Sequence, residues 1–208
     1  MYDFGFRAVK QRCALDLSAL WLFIPQDEVL AILKTRGFRV VEVDMVALAR
    51  GLIGRSRYVF DAKYKRAPQV VNCSSMVKWL YARRGIWLPK YAVEQREMGK
   101  KVDKDGLKAG DLVFKAGTGW NLYHLYPDEA VGHVGLATGQ GTVIHAADSK
   151  RGVVEDPIEH FVENGAYRGA RRIMPDGHRV VTLICPAQRE IEHSSQLRWL
   201  VLPYLPEP

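Results

Sequence analysis

Cys73 stands among small polar residues at the head of VNCSSMVKWLYARRGIWLP, residues 71–89. A cysteine attacks as a thiolate, and a helix start favours that form through its unpaired backbone N–H groups and the positive end of its dipole. Helical spacing predicts such a helix here. Met76, Val77, Leu80 and Tyr81 form an apolar stripe, Lys78, Arg83 and Arg84 lie on the other side, and Gly85 ends the pattern. Taken alone, Cys73 fits a small buried hydrophobe at least as well. A nucleophilic cysteine also needs a base, for which imidazole has the right pKa, and a third polar group to hold that base in one tautomer. His133 opens a predicted strand over 133–138, and His145 lies in another over 142–147, across the tight Gly139-Gln140-Gly141 turn. If these strands pair, both imidazoles point to one face at close range. The other histidines fit surface or structural roles: His124 in an irregular loop, His160 in a short helix, His178 and His193 in the tail.

The elements around these residues follow from periodicity and punctuation. Residues 25–34 read as a helix with Pro25 at its start and Gly37 as its stop, 38–43 as a strand, and Asp44 as the cap of a helix packed on one face. A polar loop leads into the Cys73 helix, and 91–99 looks helical. Strands are predicted over 110–114, 133–138, 142–147, 167–174 and 178–186, with a short helix over 157–164. Helices first and strands afterwards indicate an α+β fold, N-terminal helices packed on a mostly antiparallel sheet.

Composition sets the broad class. With 48% hydrophobic and 25% charged residues over 208 positions, the chain suits one compact domain with an extension, or two small ones. A formal charge of +7 favours polyanions, yet the basic residues are scattered in KYKR (63–66) and the doublets Arg83-Arg84, Lys100-Lys101 and Arg171-Arg172. No aromatic-interleaved nucleic-acid motif accompanies them, so a solvated basic surface is expected and no nucleic-acid partner. Cys13, Cys73 and Cys185 are too few for a disulfide framework or a zinc site, leaving open one bridge between Cys13 and Cys185. No apolar run approaches the roughly 20 residues of a membrane span. Arg7, Lys10 and Arg12 precede the run CALDLSALWLFIP, but Asp16 interrupts it and no cleavage site follows; a buried helix is expected there.

Four segments resemble the NlpC-type cysteine peptidases. NCSSMVKWLYARRGIWLP is similar to that family's nucleophile helix, and LKAGDLVF to the strand motif that follows it. GHVGLATGQGTVIHAAD resembles the family's paired histidine strands, and VALARGLIGRSRY the helix and tyrosine ahead of the nucleophile. The resemblance covers roughly residues 44–175 and implies a papain-like fold. It implies Cys73 as nucleophile, His133 as general base and then acid, and His145 as the residue that orients His133. It also implies Tyr58, Asn72 and Ser74 on the substrate side, with the Cys73 N–H in the oxyanion hole. Asn72 replaces the family aspartate, keeping a hydrogen-bond acceptor without its charge; Ser75 replaces a glycine, and Val59-Phe60-Asp61 a Trp-Gly-Gly.

The expected organisation is an N-terminal helical extension (1–43), the peptidase domain (44–175) and a C-terminal extension packing on the core (176–208). Trp120, Tyr123 and Tyr126, in a long insertion, suit either a lid or packing on the domain. The expected activity is hydrolysis of an amide bond in peptidoglycan stem peptides, between D-glutamate and the diamino acid, through a thioester acyl-enzyme. No metal or organic cofactor is implied. The alternatives are a same-fold hydrolase or amidase on a non-wall substrate, and a catalytically silent binding domain, against which the intact Cys73, His133 and His145 speak. The lack of a clear signal suggests the cytoplasm, whereas a wall substrate suggests export.

Overall fold

The computed structural model describes residues 5–117 and 130–205; Trp120, Tyr123, His124 and Tyr126 lie outside them. In chain order, the first elements are β1 (Arg12–Asp16), α1 (Gln26–Thr35), β2 (Arg39–Val41), α2 (Met45–Arg50), β3 (Arg57–Tyr58) and β4 (Val70–Val71). Next come α3 (Cys73–Arg84), α4 (Ala92–Arg96), β5 (Lys100–Val102), β6 (Leu112–Lys115), β7 (His133–Ala137) and β8 (Thr142–Asp148). The last are β9 (Gly152–Pro157), α5 (Glu159–Val162), β10 (Tyr167–Arg172), β11 (Val180–Ile184) and α6 (Gln196–Val201). No helix among the described residues is long and apolar enough to cross a membrane.

The chain divides into two compact units. One comprises Met1–Val43, Tyr81–Trp87 and Pro175–Pro208; the other comprises Asp44–Leu80 and Leu88–Met174. In the first, three antiparallel strands run in the order β1-β11-β2. The expected buried helix over 13–25 is instead β1 followed by a 3-10 turn at Ser18–Leu20. Four of the five β1 residues are buried, so the segment carries no one-sided period to separate strand from helix. From residue 5 to residue 43 the chain accordingly holds two strands and one helix, not helices alone. The core of this unit includes Cys13, Leu15, Leu20, Leu33, Phe38, Leu183 and Leu197. Gly85, at φ +86, lets the chain turn beside β1, where its carbonyl accepts from Ala14 N–H at 3.0 Å. A Cβ there would lie 2.6 Å from the Ala14 nitrogen. Cys13 and Cys185 are free thiols buried in this core, and burial, reinforced by Cys185, pushes Cys13 up to about 12.

The second unit is built on six antiparallel strands in the order β5-β10-β6-β7-β8-β9. Buried side chains of α3 (Met76, Val77 and Leu80) and of the strands (Leu112, Phe114, Val134, Leu136, Ile144) form its interior. Asp44 caps α2 by accepting from Ala47 N–H at 2.9 Å. From the other end of α2, Arg50 forks onto Glu155 of β9 through Nε and Nη2, both at 2.9 Å. Arg172 of β10 forks likewise onto the buried Asp111, which precedes β6, at 2.9 and 2.6 Å. The first pair ties the edge strand β9 to α2, and the second ties β10 to the start of β6.

Candidate active site

Asn72 starts α3. Its Oδ1 accepts from Ser75 N–H at 2.9 Å, and Ser75 Oγ accepts from Asn72 N–H at 2.9 Å, a reciprocal cap that satisfies two backbone donors. Asn72 Nδ2 donates to the Phe60 carbonyl at 2.7 Å, which ties the cap to the loop after β3. Ser74 is buried and its hydroxyl turns back to Asn72 Oδ1 at 3.3 Å. The fully buried Gln95 steadies the same turn, donating to the carbonyls of Ser74 (3.1 Å) and Pro89 (3.0 Å).

Cys73 is half-buried at this helix start. Burial pushes its thiol up, while the backbone N–H groups of Val134, Ser74 and Cys73 itself pull it down. The thiolate-favouring donors expected from the sequence are therefore present, but desolvation outweighs them and the resting side chain is a thiol. The Val134 N–H also places the sulfur beside β7, the strand that His133 opens. Tyr58 of β3 stands within electrostatic reach: burial raises its phenol first, and the charge of Cys73 adds to this.

β7 and β8 pair in register, Leu136 opposite Ile144 and Ala137 opposite Val143. Continued outward, this register sets Gly135 opposite His145, with His133 diagonal to it on the same face. Gly135 makes the meeting possible. A Cβ at that position would fall 2.4 Å from Val143 Cγ1 and 3.1 Å from His145 Cβ. The two imidazoles join directly, His133 Nε2 to His145 Nδ1 at 2.8 Å, with their rings edge to face. Phe161 of α5 packs on both, its ring centroid 5.7 Å from that of His133 and 5.0 Å from that of His145.

The relay extends past the two histidines. His145 Nε2 meets Asp156 Oδ2 of β9 at 3.0 Å, and Arg151 grips both Asp156 oxygens at 2.9 and 2.5 Å. Arg151 first, then His145, hold the Asp156 carboxyl well below the ordinary carboxylate range, so Asp156 is an acceptor only. That charge fixes every proton behind it. His145 donates from Nε2 to Asp156, which leaves Nδ1 to accept from His133 Nε2–H, which in turn leaves His133 Nδ1 as the free lone pair. Burial, then the neighbouring His145 and Lys115, lower His133 to about 3, so its resting state is neutral. Lys115 stands directly opposite His133 in the β6–β7 register. His145 is lowered by burial, with Asp156 opposing.

Of the residues expected from sequence, His133 and His145 are thus bonded to each other, and Cys73, Tyr58, Asn72 and Ser74 gather at the start of α3. Asp156, Arg151, Phe161, Lys115 and Gly135 were not foreseen. Only Gly135 carried a signal, as the glycine two residues after a histidine within a strand. His160 Nδ1 comes within 3.6 Å of Asp156 Oδ2, and His178 bonds Asp16 at 2.6 Å in the other unit. Among the described residues no group of three His, Cys, Asp or Glu side chains is placed to hold a metal ion.

Residues 54–172, more than half of the chain, match the NlpC/P60 family. The chain belongs to the NlpC/P60 family. One NlpC/P60 relative is the bifunctional muramidase/DL-endopeptidase CwlT of Bacillus subtilis, 40% identical over 78 residues, which are 38% of this chain and 22% of that one. The gamma-D-glutamyl-L-lysine dipeptidyl-peptidase of Bacillus cereus is 33% identical over 106 residues, 50% of this chain and 29% of that one. The murein DD-endopeptidase MepS/murein LD-carboxypeptidase of Escherichia coli is 31% identical over 106 residues, 50% of each chain. The matched region spans half or less of the length of these three relatives. A solved NlpC/P60 structure from Bacillus cereus superposes with a TM-score of 0.54 at 28% identity, covering 64% of this chain and 40% of that one. The α+β, papain-like NlpC/P60 fold expected from sequence is the fold of the second unit.

Proposed function

We infer that this chain is a cysteine peptidase that hydrolyses an amide bond in peptidoglycan stem peptides, with Cys73, His133 and His145 as its catalytic centre. The observation that carries the reading is the relay Asp156–His145–His133, which leaves one free imidazole lone pair, on Nδ1, for a thiol at the start of α3. Because thiol and imidazole are both neutral at rest, proton transfer accompanies attack instead of preceding it. The Cys73 thiol gives its proton to His133 Nδ1 as the sulfur bonds the scissile carbonyl carbon. The resulting oxyanion is met by backbone N–H donors of the α3 start, that of Cys73 among them. The imidazolium keeps its Nε2–H on His145 and is stabilised through it by the Asp156 charge. Collapse breaks the C–N bond, and His133 Nδ1–H protonates the departing amine, leaving a thioester. Water then attacks the thioester, giving its proton to His133; the acid leaves and the thiol is restored.

The relatives named for DL-endopeptidase and gamma-D-glutamyl-L-lysine activity support the bond between D-glutamate and the diamino acid as the one cut. Tyr58, Asn72 and Ser74 are assigned to the substrate side of the sulfur; Asn72 Oδ1 is already committed to the helix cap, so recognition there rests more on Tyr58. The test is incubation of the protein and its Cys73→Ala variant with purified peptidoglycan and soluble stem peptides, with products read by mass spectrometry. Cleavage after D-glutamate by the wild type alone is expected. Cleavage elsewhere would reassign the bond, and no cleavage by either would reject the substrate.

A further inference from the structure

Away from Cys73, on the edge of the six-stranded sheet, Arg96, Lys101, Tyr167, Arg168, Gly169 and Arg171 line a cavity of about 310 Å³. The basic doublets Lys100-Lys101 and Arg171-Arg172, 71 residues apart in the chain, meet here residue for residue: Arg171 faces Lys101 and Arg172 faces Lys100 across β10 and β5. Arg172 is neutralised by Asp111. Arg171 and Lys101 are not, and like charges directly opposed in a sheet destabilise it. Among the described residues, no carboxylate lies within ion-pair distance of Arg96, Lys101, Arg168 or Arg171.

The backbone is shaped to gather these cations. β10 shifts register against β6 between Tyr167 and Ala170, and Gly169 within the bulge adopts φ +94. A Cβ on Gly169 would lie 4.0 Å from both Arg171 Nη1 and Arg96 Nε, so two guanidinium groups approach the same bare stretch of chain. Backbone carbonyls hold them in place: Arg96 Nε donates to Arg168 O at 2.7 Å, Arg168 Nη1 to Gly165 O at 2.7 Å, and Arg171 Nη1 to Ala170 O at 3.2 Å. Two polar atoms of the lining residues, Tyr167 Oη and Arg168 Nε, are themselves buried without a hydrogen-bond partner. Both are donors, and buried donors left unpaired are costly unless something accepts from them. Burial first, then Asp103 and Asp105 from beyond β5, raise Tyr167 and keep it a phenol, with Arg171 opposing.

We propose that this cavity is a phosphate-binding site. A carboxylate is matched by one guanidinium fork, whereas three arginines and a lysine around one small cavity match a tetrahedral oxyanion with several oxygens and more than one charge. The site uses none of the Cys73 machinery, so it stands or falls apart from the peptidase reading. The shared chemistry is the phosphate group, carried either as a free or terminal monoester or within a phosphodiester polymer.

The full chain is titrated calorimetrically with inorganic phosphate and, separately, with dimethyl phosphate, at an ionic strength held constant with sodium chloride. Saturable phosphate binding is expected, weakened about tenfold or more in Lys101→Gln and in Arg171→Gln. Removing one of the two opposed charges should also raise the melting temperature measured without phosphate, which a merely structural role for either residue would not do. Dimethyl phosphate binding as well would point to a phosphodiester polymer; phosphate alone would point to a monoester or free phosphate. Independently of any variant, phosphate should protect Arg96 and Arg171 of the wild type from phenylglyoxal, read by peptide mass spectrometry. No saturable binding by either anion, or equal affinity in wild type and variants with no arginine protection, overturns the site.

Discussion

Asp156 decides the protonation of the two imidazoles it never separates from one another. Replacing it with asparagine keeps the shape but removes the charge that makes His145 donate from Nε2, so His133 no longer presents Nδ1 free. Asp156→Asn should lower kcat on the order of 10²–10⁴-fold with KM little changed, measured as initial rates on a stem peptide. An unaltered kcat would show that the tautomer is fixed without Asp156. The histidines also make stability depend on acid. An imidazole lowered from 6.5 to about 3 makes the unfolded chain the better proton acceptor between those values. The fold is therefore at full stability above pH 6.5 and loses it as pH falls toward 3, with His145 shifted in the same direction. His133→Gln should flatten this dependence by about one proton, seen in chemical denaturation across that range. Alkylation of Cys73 by iodoacetamide should rise with pH through values above the ordinary 9.0 of a thiol, because burial has raised it. A plateau near neutrality would contradict a resting thiol. At this scale the sequence was partly legible. His133 and His145 stand out by type and spacing and Cys73 by the company they give it and the family resemblance, whereas Asp156 and Arg151 are an ordinary acid and base until β8 and β9 pair.

The strands convert that pairing into geometry. Val143 faces Asp156 and His145 faces Val154 across β8 and β9, so Asp156 comes diagonally against His145 on the shared face, as His133 does from β7. β9 is in turn fastened beside the site, since Glu155 takes the Arg50 fork and the Thr142 hydroxyl at 2.6 Å. Gly135 is the most exacting position in this layer. Gly135→Ala should cost about 1–3 kcal/mol in thermal or denaturant unfolding, through the clash with Val143, His145 and Phe161, and should lower kcat by displacing His145. Wild-type stability in that variant would mean the layer can open around a methyl group. Elements with a clear period or cap were readable in advance: α1, α2 behind Asp44, α3 and the β7–β8 hairpin all lie where their patterns place them. β1 was not, because a segment buried on all sides reads alike as strand or helix. β5 and β9 were missed for the opposite reason, their exposed or half-buried residues giving no apolar run.

The first unit is assembled from three stretches of sequence that the second unit keeps apart. Its middle strand, β11, comes from beyond residue 174, while β1 and β2 on either side come from before residue 44. Deleting the residues after Met174 should leave β1 and β2 without their partner and uncover Leu15, Leu33 and Phe38. Hydrogen exchange followed by mass spectrometry should then show loss of amide protection over residues 12–16; protection retained there would mean that β1 is held without β11. The same arrangement has a consequence in time. β1 is translated before the whole of the second unit and β11 after it, a gap on the order of ten seconds at ordinary synthesis rates. Throughout that interval the ribosome-bound chain carries β1 and β2 without the strand that lies between them, their apolar side chains still uncovered.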